Sequence, residues 1–393
     1  MLLLLIAALQ AGQSPDSLAL SDAIRLALAR RGAVSAAGAR VGQARGAERQ
    51  AGTISNPVAR YSYTDDAPRQ HASAEQSLEW LLSRGLSRAA GRAGVESALA
   101  DSAQQAAEVA ADVRGAYFRA LLAETGVVQA TAQRALADSL VRIADHRLKA
   151  GDISQYERDQ VALEAARIGL LESGAREASR SSHADLRRAI ALPADSGEQV
   201  LVGTLDAGLR PGEPLESGSE PLALRMALSD SSAAALRVRA TSLGRVPLPT
   251  LEAGADWGDP GAPGQALLVI GLSIPLPLWN QGGANQAVAA GQSAEASANL
   301  REVRATFEAE RQAAAAHVAE SAARALALRD TLAPAAAELR RRATLAYAAG
   351  ETGVLPVLYT LRSERELTLD LLGALLAWQL AVAEWNRLHG RAE

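Results

Sequence analysis

The chain has 393 residues, 48% of them hydrophobic but only 3% aromatic, and carries a formal charge of −4 with a pI of about 5.9. Interspersed charge of that size excludes the basic surface of a nucleic-acid binder. The absence of cysteine excludes disulfides, thiolate metal sites and a lipidated N-terminal Cys.

Met1 to Gly12 reads as the apolar core of a secretory signal, with small residues around a cut after Ala11 and no basic residue ahead of it. Export is expected. Beyond this segment no run reaches the roughly 18–20 uninterrupted apolar residues of a spanning helix, so no helical anchor is expected.

The first half of the pattern spans residues 17–192. Leu18 to about Ile54 is expected to be helical, capped by Ser21-Asp22. Pro57 ends that helix, and period-two alternation predicts strands over about 57–65 and 72–82. Ala59, Tyr61 and Tyr63 share a face in the first strand. Ala72, Ala74, Leu78, Trp80 and Leu82 share one in the second. Between them Asp65-Asp66-Ala67-Pro68 is a turn. Gly85 to Lys149 shows no strand signal, and as one helix it would be a rod of roughly 100 Å. A glycine turn, Lys149-Ala150-Gly151-Asp152-Ile153, leads to a helix over Ser154–Ile190. Residues 193–218 are rich in Gly, Pro, Ser and acids and read as a connector, with one strand-like run at Val200-Leu201-Val202.

Residues 219–390 repeat the pattern. Strands are expected over 249–258, where Leu251, Ala253, Ala255 and Trp257 alternate with Thr250, Glu252, Gly254 and Asp256. A second is expected over 265–275, with Ala266, Leu268, Ile270, Leu272 and Ile274 on one face. A rod over Gly282–Ala349 should kink or break at Pro334. The turn Ala348-Ala349-Gly350-Glu351-Thr352 then leads to a helix over Val354–Leu388, whose apolar stripe fits coiled-coil packing. The two turn glycines lie 199 positions apart (350 − 151) and the strand-opening prolines 192 (249 − 57), so one length change separates the copies. The period is too long for a solenoid and marks a duplicated half-molecule. Strands of about ten residues fit a tilted membrane-barrel strand; alternation alone favours ordinary soluble hairpins, but the neighbouring helices are too long for a compact domain and reverse that preference.

Asn56-Pro57, the run Ile274-Pro275-Leu276-Pro277-Leu278-Trp279-Asn280-Gln281-Gly282-Gly283 and the two glycine turns resemble the TolC-type outer-membrane efflux proteins. The resemblance covers almost the whole mature chain. Its proline-rich run is most similar to the branch serving heavy-metal exporters of the cobalt–zinc–cadmium and copper–silver type. It implies a mainly α fold with a membrane β-barrel. Duplicated helix–strand–strand–helix–helix halves would form a long periplasmic tube, with four strands per protomer in a trimeric twelve-stranded barrel. It further implies an outer-membrane exit duct in a tripartite efflux or type I secretion system, passing solutes passively. Its partners would be a homotrimer's other copies, a periplasmic adaptor, an inner-membrane pump, by preference of RND type, and outer-membrane lipid.

The resemblance places the adaptor-contact tip at Ala150, Gly151, Asp152, Gly350, Glu351 and Thr352. It makes Glu157 and Tyr347 gate residues, joined in a hydrogen-bonded latch. Pro356 and Tyr359 stand where acids often follow the second turn, a departure that removes the usual acidic ring. Trp80 and Trp257 would join an aromatic belt, with Trp279 at the periplasmic border and Tyr61 and Tyr63 toward lipid. No enzyme is expected, with no catalytic group, cofactor or metal site: His71, His146, His183, His317 and His389 are scattered and no G-x-S-x-G motif occurs. The competing readings are a periplasmic adaptor and a structural coiled-coil protein of the envelope.

Overall fold

The computed structural model describes residues 17–193, 199–210 and 221–392. The expected signal segment and parts of the connector lie outside the described residues. The elements run β1 (Ser17–Leu18), α1 (Leu20–Arg30), α2 (Gly32–Ala51), β2 (Val58–Tyr63), β3 (Gln70–Ser77), α3 (Trp80–Ala150) and α4 (Gln155–Ile190). They continue as β4 (Val200–Leu201), α5 (Leu222–Leu243), β5 (Thr250–Trp257), β6 (Ala266–Ser273), α6 (Gly283–Ala327), α7 (Ala333–Ala348) and α8 (Val354–Leu388). The order helix–strand–strand–helix–helix thus occurs twice.

Several boundaries differ from the sequence reading. The first helix is two helices broken at Arg31, and its N-cap is Ala19, with no side-chain cap, in place of Ser21-Asp22. Asp22 sits inside the first turn, where a carboxylate favours the helix dipole, and pairs with Arg25. The strand expected to reach residue 82 stops at Ser77, and Trp80 and Leu82 open α3. Alternation continues in that stretch only because Leu-Glu-Trp-Leu-Leu fits either period over five residues. Pro334 ends no rod. A π-turn at Leu328–Leu332 precedes it and Pro334 lies in the first turn of α7, where its missing N–H is tolerated.

The chain forms two compact units that cut across the repeats. Unit 1 is Met1–Ser35, Gln104–Ser219 and Ala309–Glu393, and unit 2 is Ala36–Ala103 and Glu220–Glu308. In unit 1, β1 pairs in parallel with β4. Tyr117, 1% exposed, fixes this small sheet: its hydroxyl lies 2.6 Å from Val202 O and 2.9 Å from Leu18 O and accepts from Val202 N–H at 3.1 Å. The expected strand-like run of the connector is therefore real but short. Around it Ile24, Val113, Phe118, Leu186, Leu375, Trp378 and Trp385 form the main core, and Gln379 Nε2 donates to Leu205 O and Ala207 O.

Helix α8 bears on the expectation of no helical anchor. By length and composition it is apolar enough to cross a membrane. Interruptions by single charges hid this from a search for unbroken runs. Its apolar residues Val357, Leu361, Leu375, Trp378 and Trp385 are buried within unit 1, so protein covers much of that surface.

In unit 2, four antiparallel strands form one sheet in the order β2-β3-β5-β6. The two hairpins, one from each copy, meet through β3 and β5. β2 and β6 are left as edges.

Candidate functional site

The sheet of unit 2 sorts its side chains by chemistry. Register places Tyr61 opposite Ala72, Ala72 opposite Ala255 and Ala255 opposite Leu268. Because side chains alternate across a pleat, one face carries Ala59, Tyr61, Tyr63, Ala72, Ala74, Leu251, Ala253, Ala255, Trp257, Leu268, Ile270 and Leu272. The largest of these lie open: Tyr61 is 65% exposed, and Leu268 and Ile270 are each 78% exposed. The other face carries Arg60, His71, Ser73, Glu75, Glu252 and Asp256. Arg60 pairs with Glu75 at 3.1 Å, and His71 Nδ1 lies 3.0 Å from Asp256. A sheet packed on a soluble core hides its apolar face and wets its polar one. This one shows its apolar face and collects its charges on the other.

Aromatics stand at the hairpin-turn end of the apolar face. Tyr61 and Trp257 rings are 6.5 Å apart, and the Tyr61 hydroxyl donates to Gln70 Oε1 at 3.4 Å. Gly254 is needed where strands approach closely, since a Cβ there would sit 2.5 Å from Ala72 O.

The two glycine turns of unit 1 are built alike. In the first, Gly151 N–H donates to Leu148 O and Asp152 N–H to Arg147 O. In the second, Gly350 N–H donates to Tyr347 O and Glu351 N–H to Ala346 O. Both are Schellman closures, with glycine in the left-handed region at φ 78° and 82°. Behind them lies one shared core of Leu140, Ile153, Val161, Tyr347, Val354, Val357 and Leu361. The structure therefore brings Gly151 and Gly350 to turns resting on a common cluster.

The exits from the turns differ. Ser154 and Glu157 form a reciprocal capping box at the start of α4: Glu157 N–H donates to Ser154 Oγ at 3.2 Å, and Ser154 N–H to Glu157 Oε2 at 3.0 Å. At α8 the N-cap is Gly353, with no side-chain cap. This corrects the expected latch within the chain, because the Glu157 carboxylate is engaged locally. Tyr347 is fully buried, and its hydroxyl has no hydrogen-bond partner among the described residues. Burial pushes its phenol up, the charge of Arg147 opposes this, and that of Glu157 adds to it.

The contact that joins the turns was missed in the sequence. Arg147 reaches from the first turn to the second, where Nη1 donates to Tyr347 O at 3.0 Å and Thr352 O at 3.4 Å. Its guanidinium stacks 4.8 Å from the Tyr347 ring centroid. A cation at the C-terminus of α7 also satisfies the helix dipole. Aligning the copies singles out the position, since Arg147 stands where the other turn has Ala346, but does not name its partner. Further along, Glu164 of α4, 5% exposed, receives Arg362 Nη2 at 2.7 Å and faces Arg365 Nη1 at 3.5 Å, both from α8. Burial pushes the Glu164 carboxyl up, but the two arginines outweigh this and hold it below the usual carboxylate range. Among the described residues no group of His, Asp and Glu is arranged to hold a metal ion.

No protein-family model and no curated protein matches this chain. Solved structures do. The chain is similar to the outer membrane protein VceC of Vibrio cholerae, with 18% identity and a TM-score of 0.74 over 95% of this chain and 97% of that one. It is similar to CusC, with 15% identity and a TM-score of 0.70 over 97% and 96%. It also resembles the open-state MtrE outer membrane channel of Neisseria gonorrhoeae, with 18% identity and a TM-score of 0.68 over 95% and 89%. The chain thus has the fold of TolC-like outer-membrane efflux channels. CusC sits among several neighbours of equal rank, and the heavy-metal branch is not singled out.

Proposed function

We infer that the protein is an outer-membrane exit duct, passing solutes from a periplasmic system across the outer membrane without chemistry of its own. The observation that carries this reading is the sheet of unit 2: its apolar face is open while its charged side chains lie opposite. In a closed barrel that face would meet lipid and the charged face a wet lumen. Edge strands β2 and β6 cannot remain unpaired in hydrocarbon, and four strands are too few to close when small barrels need about eight. Three copies pairing β2 of one with β6 of the next would give twelve strands. An adaptor or a structural coiled coil has no use for such a sheet.

On this reading Ala150, Gly151, Asp152, Gly350, Glu351 and Thr352 form the contact for a periplasmic adaptor, which couples the duct to an inner-membrane pump of RND type. Glu157 and Tyr347 flank the turns as gate positions, Glu157 through its cap and Tyr347 through the Arg147 stack. Cysteines placed in β2 and β6 test the assembly: oxidation should yield a covalent trimer in outer-membrane fractions, and products stopping at dimer would refute it. Large charged residues at Gly151 and Gly350 should abolish crosslinking to the adaptor while trimers persist. Unchanged crosslinking would remove the tip assignment.

A further inference from the structure

One histidine of the sheet holds both hairpins at once. His71 stands in β3, opposite Ser62 of β2 and Asp256 of β5. Its Nδ1 lies 3.0 Å from Asp256 Oδ1, and its Nε2 lies 3.2 Å from Thr64 Oγ1. Thr64 begins the turn between β2 and β3 and closes it by donating its N–H to Arg69 O at 2.9 Å. The Thr64 hydroxyl also lies 3.1 Å from Asp66 O and 3.4 Å from Pro68 O. The imidazole therefore links the turn of the first hairpin to a carboxylate of the second.

A count of protons decides whether these contacts hold together. The hydroxyl has one proton, and the turn carbonyls only accept. An imidazolium donates from both nitrogens, to Asp256 through Nδ1 and to Thr64 Oγ1 through Nε2. The hydroxyl proton is then free for Asp66 O or Pro68 O. A neutral ring protonated on Nδ1 has a bare Nε2, which takes the hydroxyl proton away from the turn. A neutral ring protonated on Nε2 sets a lone pair against the Asp256 carboxylate. Either tautomer loses one contact.

Water reaches this ring. Its side chain is 32% exposed and borders a polar cavity of about 360 Å³ on the charged face of the sheet. Directly across the ladder the charged neighbour is Asp256; Ser62 and, beyond Asp256, Leu267 of β6 carry no charge. Further along the face Arg60 is engaged by Glu75, and Glu252 stands opposite Glu75. Asp65, Asp66 and Arg69 belong to the turn itself, and Asp259 to the turn of the second hairpin.

We propose that His71 is a proton-operated pin at the turn end of the sheet. A proton taken from water ties the β2–β3 turn to β5, and its loss frees the turn. Histidine is the side chain that changes charge between about pH 5 and 8, so the turn tightens in mild acid. Its place at the outward mouth of the duct rests on the barrel reading; the pin itself rests only on the geometry of the sheet.

The chain has no cysteine, so single labels are available directly. Ala67→Cys in the β2–β3 turn, with Ala262→Cys in the β5–β6 turn as control, is made in the full chain, spin-labelled and reconstituted in phosphatidylethanolamine–phosphatidylglycerol vesicles. Between pH 5 and pH 8 the ratio of mobile to immobile nitroxide at 67 should rise about three- to tenfold, the equivalent of one net hydrogen bond, and at 262 it should stay constant. His71→Gln and, independently, Thr64→Val should each abolish the rise, whereas Thr64→Ser should keep it. Asp256→Asn should shrink it, because the imidazolium loses its counter-charge. No rise at 67, an equal rise at 262, or a rise that survives in both His71→Gln and Thr64→Val would overturn the pin. The β2–β6 cysteine crosslink on the same preparations reports the barrel separately, so either reading can fail alone.

Discussion

Replacing Arg147 by methionine should loosen the second turn selectively. Methionine keeps much of the aliphatic stem but removes the guanidinium that reaches Tyr347 O at 3.0 Å and Thr352 O at 3.4 Å and stacks on the Tyr347 ring. A hydrogen bond from a charged donor contributes about 1.5–3 kcal/mol; the longer contact adds little. A cation–π contact contributes about 0.5–2 kcal/mol, and part of it overlaps the first term because both act through one cation. A combined loss of about 2–3 kcal/mol is therefore expected, falling on the end of α7. Converted at 1.4 kcal/mol per factor of ten, local opening should become roughly 30- to 150-fold more frequent. Hydrogen exchange reads this directly at the amides of Gly350 and Glu351, which close the second turn. The amides of Gly151 and Asp152 serve as an internal control, because their closure uses only first-turn carbonyls. Arg147→Lys should fall between, retaining charge without the planar fork. Equal acceleration in both turns, or none in the second, would refute the idea that Arg147 clamps one turn to the other.

Tyr347→Phe removes a fully buried hydroxyl that lacks a partner among the described residues, so the melting temperature should hold or rise; a clear fall would show that the hydroxyl is paired. Glu164→Gln should lower stability by about 2 kcal/mol at pH 7, below the usual range for breaking a buried pair because Arg362 is half exposed. Since the folded Glu164 pKa is depressed, that stability is present above the ordinary carboxylate value of 4.5 and is lost as pH falls through the folded value; melting curves of wild type and variant should therefore approach each other as the pH falls below 4.5 and meet once Glu164 is protonated in the folded state. Gly350→Ala meets no crowding atom but places a Cβ at φ 82°, and should cost about 1–2 kcal/mol in thermal denaturation while leaving the fold intact.

Much of the architecture was legible because it rests on local periodicity. The shift from period two to helical spacing located both hairpins and the long helices that follow them, and the duplication made each half a check on the other. Glycine marked both turns, since a Schellman closure needs a residue at ease in the left-handed region. Legibility failed where two periods overlap over a few residues, as at Leu78–Leu82. The S-x-x-E spacing from Ser154 is also a capping signature, which the sequence reading passed over.

The pairwise chemistry of the turns depends on residues far apart in sequence. Arg147 and Tyr347 are in contact across 200 positions and Glu164 and Arg362 across 198, and no local pattern specifies such partners. The sequence by itself determined the repeated elements, the turn glycines and the alternating faces of the strands, because each follows from steric and hydrophobic rules acting within a few residues. Only the tertiary structure decided that the two hairpins join into one sheet through β3 and β5, that the apolar faces of all four strands coincide, and that an arginine from one turn holds the other. Those outcomes depend on strand register and helix packing, where a one-residue slip would turn every side chain of a strand to the opposite face.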